Sequence, residues 1–297
     1  MTRWDVIGVG ANSVDDVYRL PDYPRPDSPT AKMRIDSHLV SCGGQTATAM
    51  STCTAMGLRT KYIGAFGGDD NGRRMRDELT QRHVNLDGAV TRDAANRFAV
   101  ILLDRNLGER IVLWDRDPSL SLRDDELTAA TLAGTRLIHV DDEDQEAAIR
   151  AARIGRDAGV PVTSDIERRT DRTEALVASV TVPIFAEHLL QELTGESDFE
   201  RALRKVRRTH DGLLCVTLGA RGSMLLDGDT LHHEPARPVT VVDSTGAGDV
   251  FRGAFIYALL RGDTSRDILR FANAAAAVSC TRIGAIASVP LLSDISS

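Results

Sequence analysis

What this chain lacks narrows the field before anything it contains. Its 297 residues include four cysteines, Cys42, Cys53, Cys215 and Cys280, with no CxxC pair and no Cys/His spacing of a metal site. A disulfide-stapled secreted fold and a zinc module are therefore excluded. The four thiols read as small buried side chains in a reducing compartment. No apolar run reaches the ~20 residues that span a bilayer. Positive charge is not in excess. Against 36 Lys and Arg stand 43 Asp and Glu, a formal net charge of −7, which argues against nucleic acid as the main partner. There is no low-complexity tract, no internal repeat and no evident interdomain linker. The opening Met1–Asp5 passes straight into an apolar stretch without the layout of a signal peptide, so a cytoplasmic location is expected.

What is present is an ordinary globular composition, 42% hydrophobic and 27% charged. The length allows one large domain or two, at roughly 150 residues each. Apolar β-branched runs alternate with segments of helical period. Val6–Gly10, Lys61–Ala65, Leu137–Val140, Val160–Asp165 and Leu213–Thr217 read as strands. Gln45–Met56, Gly72–Arg82 and Gln145–Ala158 read as helices. That alternation predicts an α/β fold with a mainly parallel sheet flanked by helices on both faces. Ligands then bind beyond the C-terminal strand ends, where Asp141, Asp165 and the Gly219–Gly222 turn would lie. Two stretches break the alternation. Residues 12–40 carry Pro21, Pro24, Pro26 and Pro29, and residues 97–114 read as a hairpin around Asp104–Gly108. They read either as an antiparallel flap inserted into the core or as an edge extension of the main sheet.

The sharpest local signal is Val241-Val242-Asp243-Ser244-Thr245-Gly246-Ala247-Gly248-Asp249. An apolar strand is expected to run into a Gly-Ala-Gly turn, followed by an acid and an apolar helix from Val250 to Leu260. Glycines let successive N–H groups aim at one spot, and a helix N-terminus adds partial positive charge there. The result is a site for an anion or for negative charge that develops during reaction. Asp249 reads equally as the helix cap or as a catalytic base.

Asp243–Asp249 resembles the C-terminal signature D-T-x-G-A-G-D of the ribokinase-like (PfkB) carbohydrate and nucleoside kinases. Other segments agree in order: Gly43-Gly44-Gln45-Thr46-Ala47-Thr48 with the substrate turn, Gly64–Gly72 with G-x-x-G-x-D-x-x-G, Thr217–Gly222 with T-x-G-x-x-G, and Ala272–Gly284 with the last helix and loop. The resemblance implies a single ribokinase-like kinase domain over 1–297, with a small discontinuous β-sheet lid from about 12–40 and 94–117. It is nearest to ketohexokinase-like and sulfofructose-kinase-like members.

On that resemblance the chain is an ATP-dependent phosphotransferase acting on a primary hydroxyl of a small sugar or sugar derivative, ketose-type or ribose-like. Asp249 would be the general base, and the amides of Gly246, Ala247 and Gly248 the anion hole. Acceptor contacts would come from Asp15, Gly43, Gly44, Gln45, Thr48, Asp141 and Arg110. Read locally, the alternative for Asp15 is a surface acid of a turn, and for Arg110 a solvated charge of a hairpin. Thr217, Gly219, Gly222 and Asn273 would line the nucleotide site, with Mg²⁺ bridging the phosphates. A monovalent cation such as K⁺ is implied at Asp243, Thr245, Ser279, Arg282, Gly284 and Ser288. Many members carry an N-x-x-E motif, and this chain has Ala186-Glu187-His188-Leu189 in its place. A homodimer through the lid is implied. The rival readings are a nucleoside kinase of the same fold, for which 4% aromatic residues offer a thin base platform, and a catalytically silent sugar- or nucleotide-binding regulator.

Overall fold

The structure is a computed structural model and describes residues 3–105 and 110–295. The chain opens with strand β1 (Trp4–Val9), crosses to a hairpin-like pair β2 (Ser13–Leu20) and β3 (Ser37–Gly43), and enters helix α1 (Gln45–Ala55). Strands β4 (Thr60–Ile63) and β5 (Ala65–Gly67) lead into α2 (Asp70–Gln81). Then come β6 (Val90–Arg92), β7 (Phe98–Asp104) and β8 (Arg110–Asp115). The alternating part follows as β9 (Thr135–Val140), α3 (Gln145–Asp157), β10 (Val162–Ile166), α4 (Thr173–Ser179), β11 (Val182–Ala186), α5 (Glu187–Thr194) and α6 (Phe199–Arg207). It closes with β12 (Leu214–Thr217), β13 (Ser223–Asp227), β14 (Thr230–Glu234), α7 (Ala247–Arg261), α8 (Ser265–Ser279) and the short α9 (Leu292–Ile295).

The large sheet has eight strands in the order β14-β13-β12-β11-β10-β9-β1-β4. From β12 through β4 every pairing is parallel, and the β12-β13-β14 end is antiparallel. Its strands are apolar throughout because both faces are covered. Ile138 and Phe185 pack toward the α3–α6 side, whereas Leu137 and Ile184 pack toward the side of α1, α7 and α8. The strand order reverses between β1 and β9, and a crevice opens at their C-terminal ends.

A second, separate sheet has four strands in the order β3-β2-β7-β8, with β2 and β7 parallel and the outer pairs antiparallel. The hairpin expected over 97–114 is thus present as β7–β8, standing apart from the main sheet. Val241-Val242 departs from expectation. The sequence suggests a strand there, but both residues are exposed and lie in irregular chain. The Val242 and Asp243 amides both donate to the Cys280 carbonyl at the end of α8. The segment finds its hydrogen bonds at a helix terminus and needs no sheet edge. All four cysteines are free thiols; Cys53 and Cys215 are fully buried.

Helices α1 and α7 carry the two glycine turns, and their packing fixes the turns relative to each other. Gly253 makes this approach close: a Cβ there would meet Thr52 Cβ at 2.6 Å and the Ala49 carbonyl at 2.7 Å. Gly253→Leu is expected to lower stability by about 1–3 kcal/mol through overpacking, read as a drop in the urea midpoint at unchanged slope.

Candidate active site

Asp249 is the third residue of α7, and Gly246 is the residue that caps it. The helix starts three residues earlier than the apolar run suggests, and no side chain caps it. The cap reading of Asp249 therefore falls away, and its half-buried carboxyl lines an open pocket with Ser244, Thr245, Gly246 and Gly248. Gly246 has φ +76°, and a Cβ there would strike Ala285 at 2.7 Å. The Ala247 amide donates to the Ser244 carbonyl at 3.2 Å, and the Val250 amide to that of Gly246 at 2.9 Å. Burial pushes the Asp249 carboxyl well above its ordinary value of 3.8; Glu167 adds to this and Arg252 opposes it.

The opposite wall comes from the small sheet. Side chains at paired positions share a face, so Asp15, Ala99 and Trp114 point the same way, as do Val17, Ile101 and Val112. Asp15, Ala99, Ile101, Val112 and Trp114 line the same pocket as Asp249. Asp15 is 8% exposed and accepts from Ser13 Oγ at 2.8 Å. The floor is the Gly43–Gln45 turn. A Cβ on Gly43 would lie 3.1 Å from Asp15 Oδ2, and Gly44, with φ +97°, abuts the backbone of Asn12. Gln45 lines the pocket and reaches Asp142 Oδ1 at 3.4 Å.

Two candidates lie elsewhere. Asp141 is 1% exposed, behind the wall, and its carboxylate accepts from the Ala11 amide (2.7 Å), the Thr46 amide (3.2 Å), Thr46 Oγ1 (2.6 Å) and the Glu143 amide (3.1 Å). Burial pushes it up to about 6 despite these donors. Thr48 faces inward on α1 and is fully buried. Arg110 pairs through its backbone with Leu103, and its side chain lies outside the described residues.

The nucleotide candidates form a second cluster at the end of β12. Gly219 has φ +57° and Gly222 +89°, and a Cβ on Gly222 would meet the Glu234 carbonyl at 2.1 Å. Thr217 Oγ1 donates to the Phe185 carbonyl at 3.3 Å. Asn273 accepts from Ser223 Oγ at 3.0 Å and donates to the Glu234 carbonyl at 2.8 Å, so it pins the chain leaving β14. Among the cation candidates, Asp243 accepts from the Thr245 amide and the Gly284 amide, both at 2.9 Å, which joins two loops. Ser279 and Ser288 hydroxyls donate to Ala276 and Ala285 carbonyls, and Arg282 pairs with Asp294. Where N-x-x-E is missing, Glu187 pairs with Arg221 and Leu189 is fully buried in the core.

Sequence reasoning missed several residues here. Arg97, Glu143, Glu167 and Arg168 all line the pocket. Glu143 holds Arg97 at 3.3 Å and Arg168 at 2.9 Å, and both guanidiniums sit about as far from the Trp114 ring, at 5.6 and 5.5 Å. Beneath the glycine turn lies Arg252, 1% exposed, with Nη2 2.5 Å from Asp165 and 3.5 Å from Glu167. The only advance signal was a charge inside an apolar helix.

A doubly wound sheet with a glycine-opened helix over an acid, faced by a small separate sheet, defines an α/β phosphotransferase. The sequence profile of the pfkB family carbohydrate kinases matches residues 13–292, and the chain belongs to that family. It is a carbohydrate kinase with the ribokinase-like fold. A nucleoside kinase of Methanothermobacter thermautotrophicus is 24% identical, covering 96% of this chain and 92% of its own length. Fructokinase-1 of Zea mays is 29% identical, covering 85% and 86%. A putative ribokinase from Agrobacterium tumefaciens superposes with a TM-score of 0.91 at 27% identity, over 99% of this chain and 96% of that one. A putative ribokinase II from E. coli in complex with ATP and Mg²⁺ gives 0.83 at 20%, over 99% and 98%.

Asp141→Ala strands three amide or hydroxyl donors that meet at one oxygen. It is expected to cost at least about 2 kcal/mol in urea unfolding, far more than an exposed Asp→Ala change.

Proposed function

We propose that this kinase transfers the γ-phosphoryl of ATP to a primary hydroxyl of a small neutral sugar, ketose-type or ribose-like. The observation that carries the reading is the Asp249 carboxyl in the first turn of α7, facing the Asp15 wall across one pocket. Asp249 accepts the proton of the attacking hydroxyl. The amides of the Gly246–Gly248 turn and the α7 N-terminus face the charge on the phosphoryl as it moves. Of these, the Ala247 amide is already engaged by Ser244, so Gly248 and Asp249 are the better-placed donors. Asp15 holds sugar hydroxyls by accepting from them, and Gly43 and Gly44 let the sugar approach the backbone. Thr217, Gly219 and Gly222 cradle the nucleotide, with Asn273 shaping the loop beside it.

Among the described residues no three His, Cys, Asp or Glu side chains converge as a metal site. Mg²⁺ would therefore be held mainly by the nucleotide phosphates and water. When bound, it neutralises and orients the phosphate oxygens. The Asp243–Gly284 loops supply a plausible seat for K⁺ through backbone carbonyls. The small sheet acts as a lid from about 12–40 and 94–117 that keeps water from the pocket. Absence of a long apolar helix among the described residues fits a cytoplasmic enzyme. Trp114 gives the pocket wall an aromatic face, so nucleosides belong in the acceptor panel as the second reading.

Asp249→Asn is expected to lower kcat by roughly 10²–10⁴-fold in a coupled ADP-release assay over ketoses, ribose and nucleosides. The parent's activity should fall on acidification at a pH above the ordinary carboxylate range, because the raised carboxyl must lose its proton to serve. Turnover by Asp249→Asn at the parental rate refutes the role. A homodimer through the lid rests on Ile111 and Leu113, which are 41% and 56% exposed on the face away from the pocket. Sedimentation should give a dimer for the parent and a monomer for Leu113→Asp; a monomeric parent overturns the assembly.

A further inference from the structure

Arg252 is the largest fully buried side chain among the described residues, and it lies one helical turn after Asp249. A bare guanidinium in a core is costly unless a carboxylate answers it. Asp165, 0% exposed at the end of β10, does so at 2.5 Å, and Glu167 Oε1 approaches the same nitrogen at 3.5 Å. The pair is pressed against the catalytic turn. A Cβ on Gly248 would lie 2.5 Å from Arg252 Nη1 and 3.9 Å from Glu167 Oε1. The glycine is required there because the charges sit directly below. Glu167 is itself fixed: the buried Asp142 carboxylate accepts its amide at 2.7 Å, and His188 meets its carbonyl at 2.7 Å.

We propose that Arg252 and Glu167 are positioning residues that act on Asp249 with opposite sign. Clamped by Asp165 beneath the glycine turn, the guanidinium favours the carboxylate form of Asp249, and the Glu167 carboxylate opposes it. The inference rests on the reading of Asp249 as the base. The other charges facing Asp249 are Asp165, which burial, Glu167 and Asp249 itself push up against the pull of Arg252, and Asp141 behind the wall and Asp15 across the pocket, both of which raise Asp249. Arg252 also faces the buried Cys215 thiol, and His139, buried on β9, is held neutral by desolvation and by Arg252 itself. Arg252 is thus the one cation among these groups, and Glu167 is the most exposed of the acids around it, at 41%.

The test needs no substrate. Thermal melts compare the parent with Asp249→Asn from about pH 4 to about pH 8. A carboxyl raised in the folded state loses its stabilising contribution as pH rises through its folded pKa. The parent therefore loses ground to Asp249→Asn from the ordinary carboxylate range upward, and the gap stops widening once the pH has passed the folded pKa. The pH at which the gap levels off reports the ionisation of Asp249 in the folded protein. Made in both backgrounds, Arg252→Gln should move that point up by about one unit and Glu167→Gln down by about as much, while Arg252→Lys holds it within ~0.3 unit. Should Arg252→Gln give no cooperative melt because Asp165 is left uncompensated, the half-exposed Glu167→Gln decides alone. Levelling points that coincide in every folded variant overturn the inference. Turnover is not read, so this outcome is separate from the failure of Asp249 as base, which shows as parental turnover in Asp249→Asn.

Discussion

A carboxylate that is 1% exposed and accepts four hydrogen bonds cannot leave its place without stranding its donors, and Asp141 spends its four on the chain just past β1, the first turn of α1 and its own strand exit. These segments meet where the strand order reverses, which is where an open parallel sheet leaves a crevice. Gly10 shows how tight the knot is: a Cβ there would lie 2.2 Å from Asp141 Oδ2. With β1 and α1 tied at this point, the Gly43–Gln45 turn and the start of β2 inherit their positions, and so does Asp15. The acceptor wall thus depends on a residue that does not touch the pocket. Asp142 repeats the device one residue later, accepting the Glu167 and Arg168 amides at 2.7 and 2.6 Å.

The other half of the site is organised by a helix end. The Ala247 amide is engaged by Ser244, and with no side chain capping α7 the next amides of its first turn are the ones that face an anion. The same turn carries Asp249, whose negative charge would compete for that positive field. The structure relieves the conflict from below, where Arg252 adds a full positive charge and Asp165 holds it. Burying such a pair gains little stability in itself. Its value lies in fixing charge next to the reacting groups at no cost of reorganisation.

Legibility in the sequence followed the range of the interactions. Strand–helix alternation is a local pattern, and the parallel sheet and the Gln45–Ala55 helix were readable from it, while the β7–β8 hairpin was readable as a break in it. So was the glycine turn, because Gly246 needs a positive φ whatever surrounds it. Val241-Val242 misled because an apolar pair looks like a strand when the partner that satisfies its amides, the end of α8, is about forty residues away in sequence. Asp141 looked like a ligand contact because a strand-end acid is usually exposed at the crevice; its inward turn is set by Thr46 and Ala11, which the sequence does not place beside it. Arg252 and Glu167 are separated by 85 positions, and no periodicity connects them.

The same separation explains how an acidic chain can handle a polyanionic nucleotide. A net charge of −7 sets the far field, whereas on the proposed reading the phosphates would meet amide dipoles at the α7 end and the Gly219–Gly222 turn. Among the described residues, side-chain cations in the pocket do not supply a free positive patch. Arg97 and Arg168 are both answered by Glu143, and Arg168 also by Asp142. Asp15 and Glu167 then leave the wall richer in acceptors than in unmatched cations. An acceptor carrying its own phosphate or carboxylate would have to break those pairs, while a neutral polyol offers hydroxyl donors to them as they stand. The balance of paired charges, more than the net charge, is what favours a neutral sugar at this site.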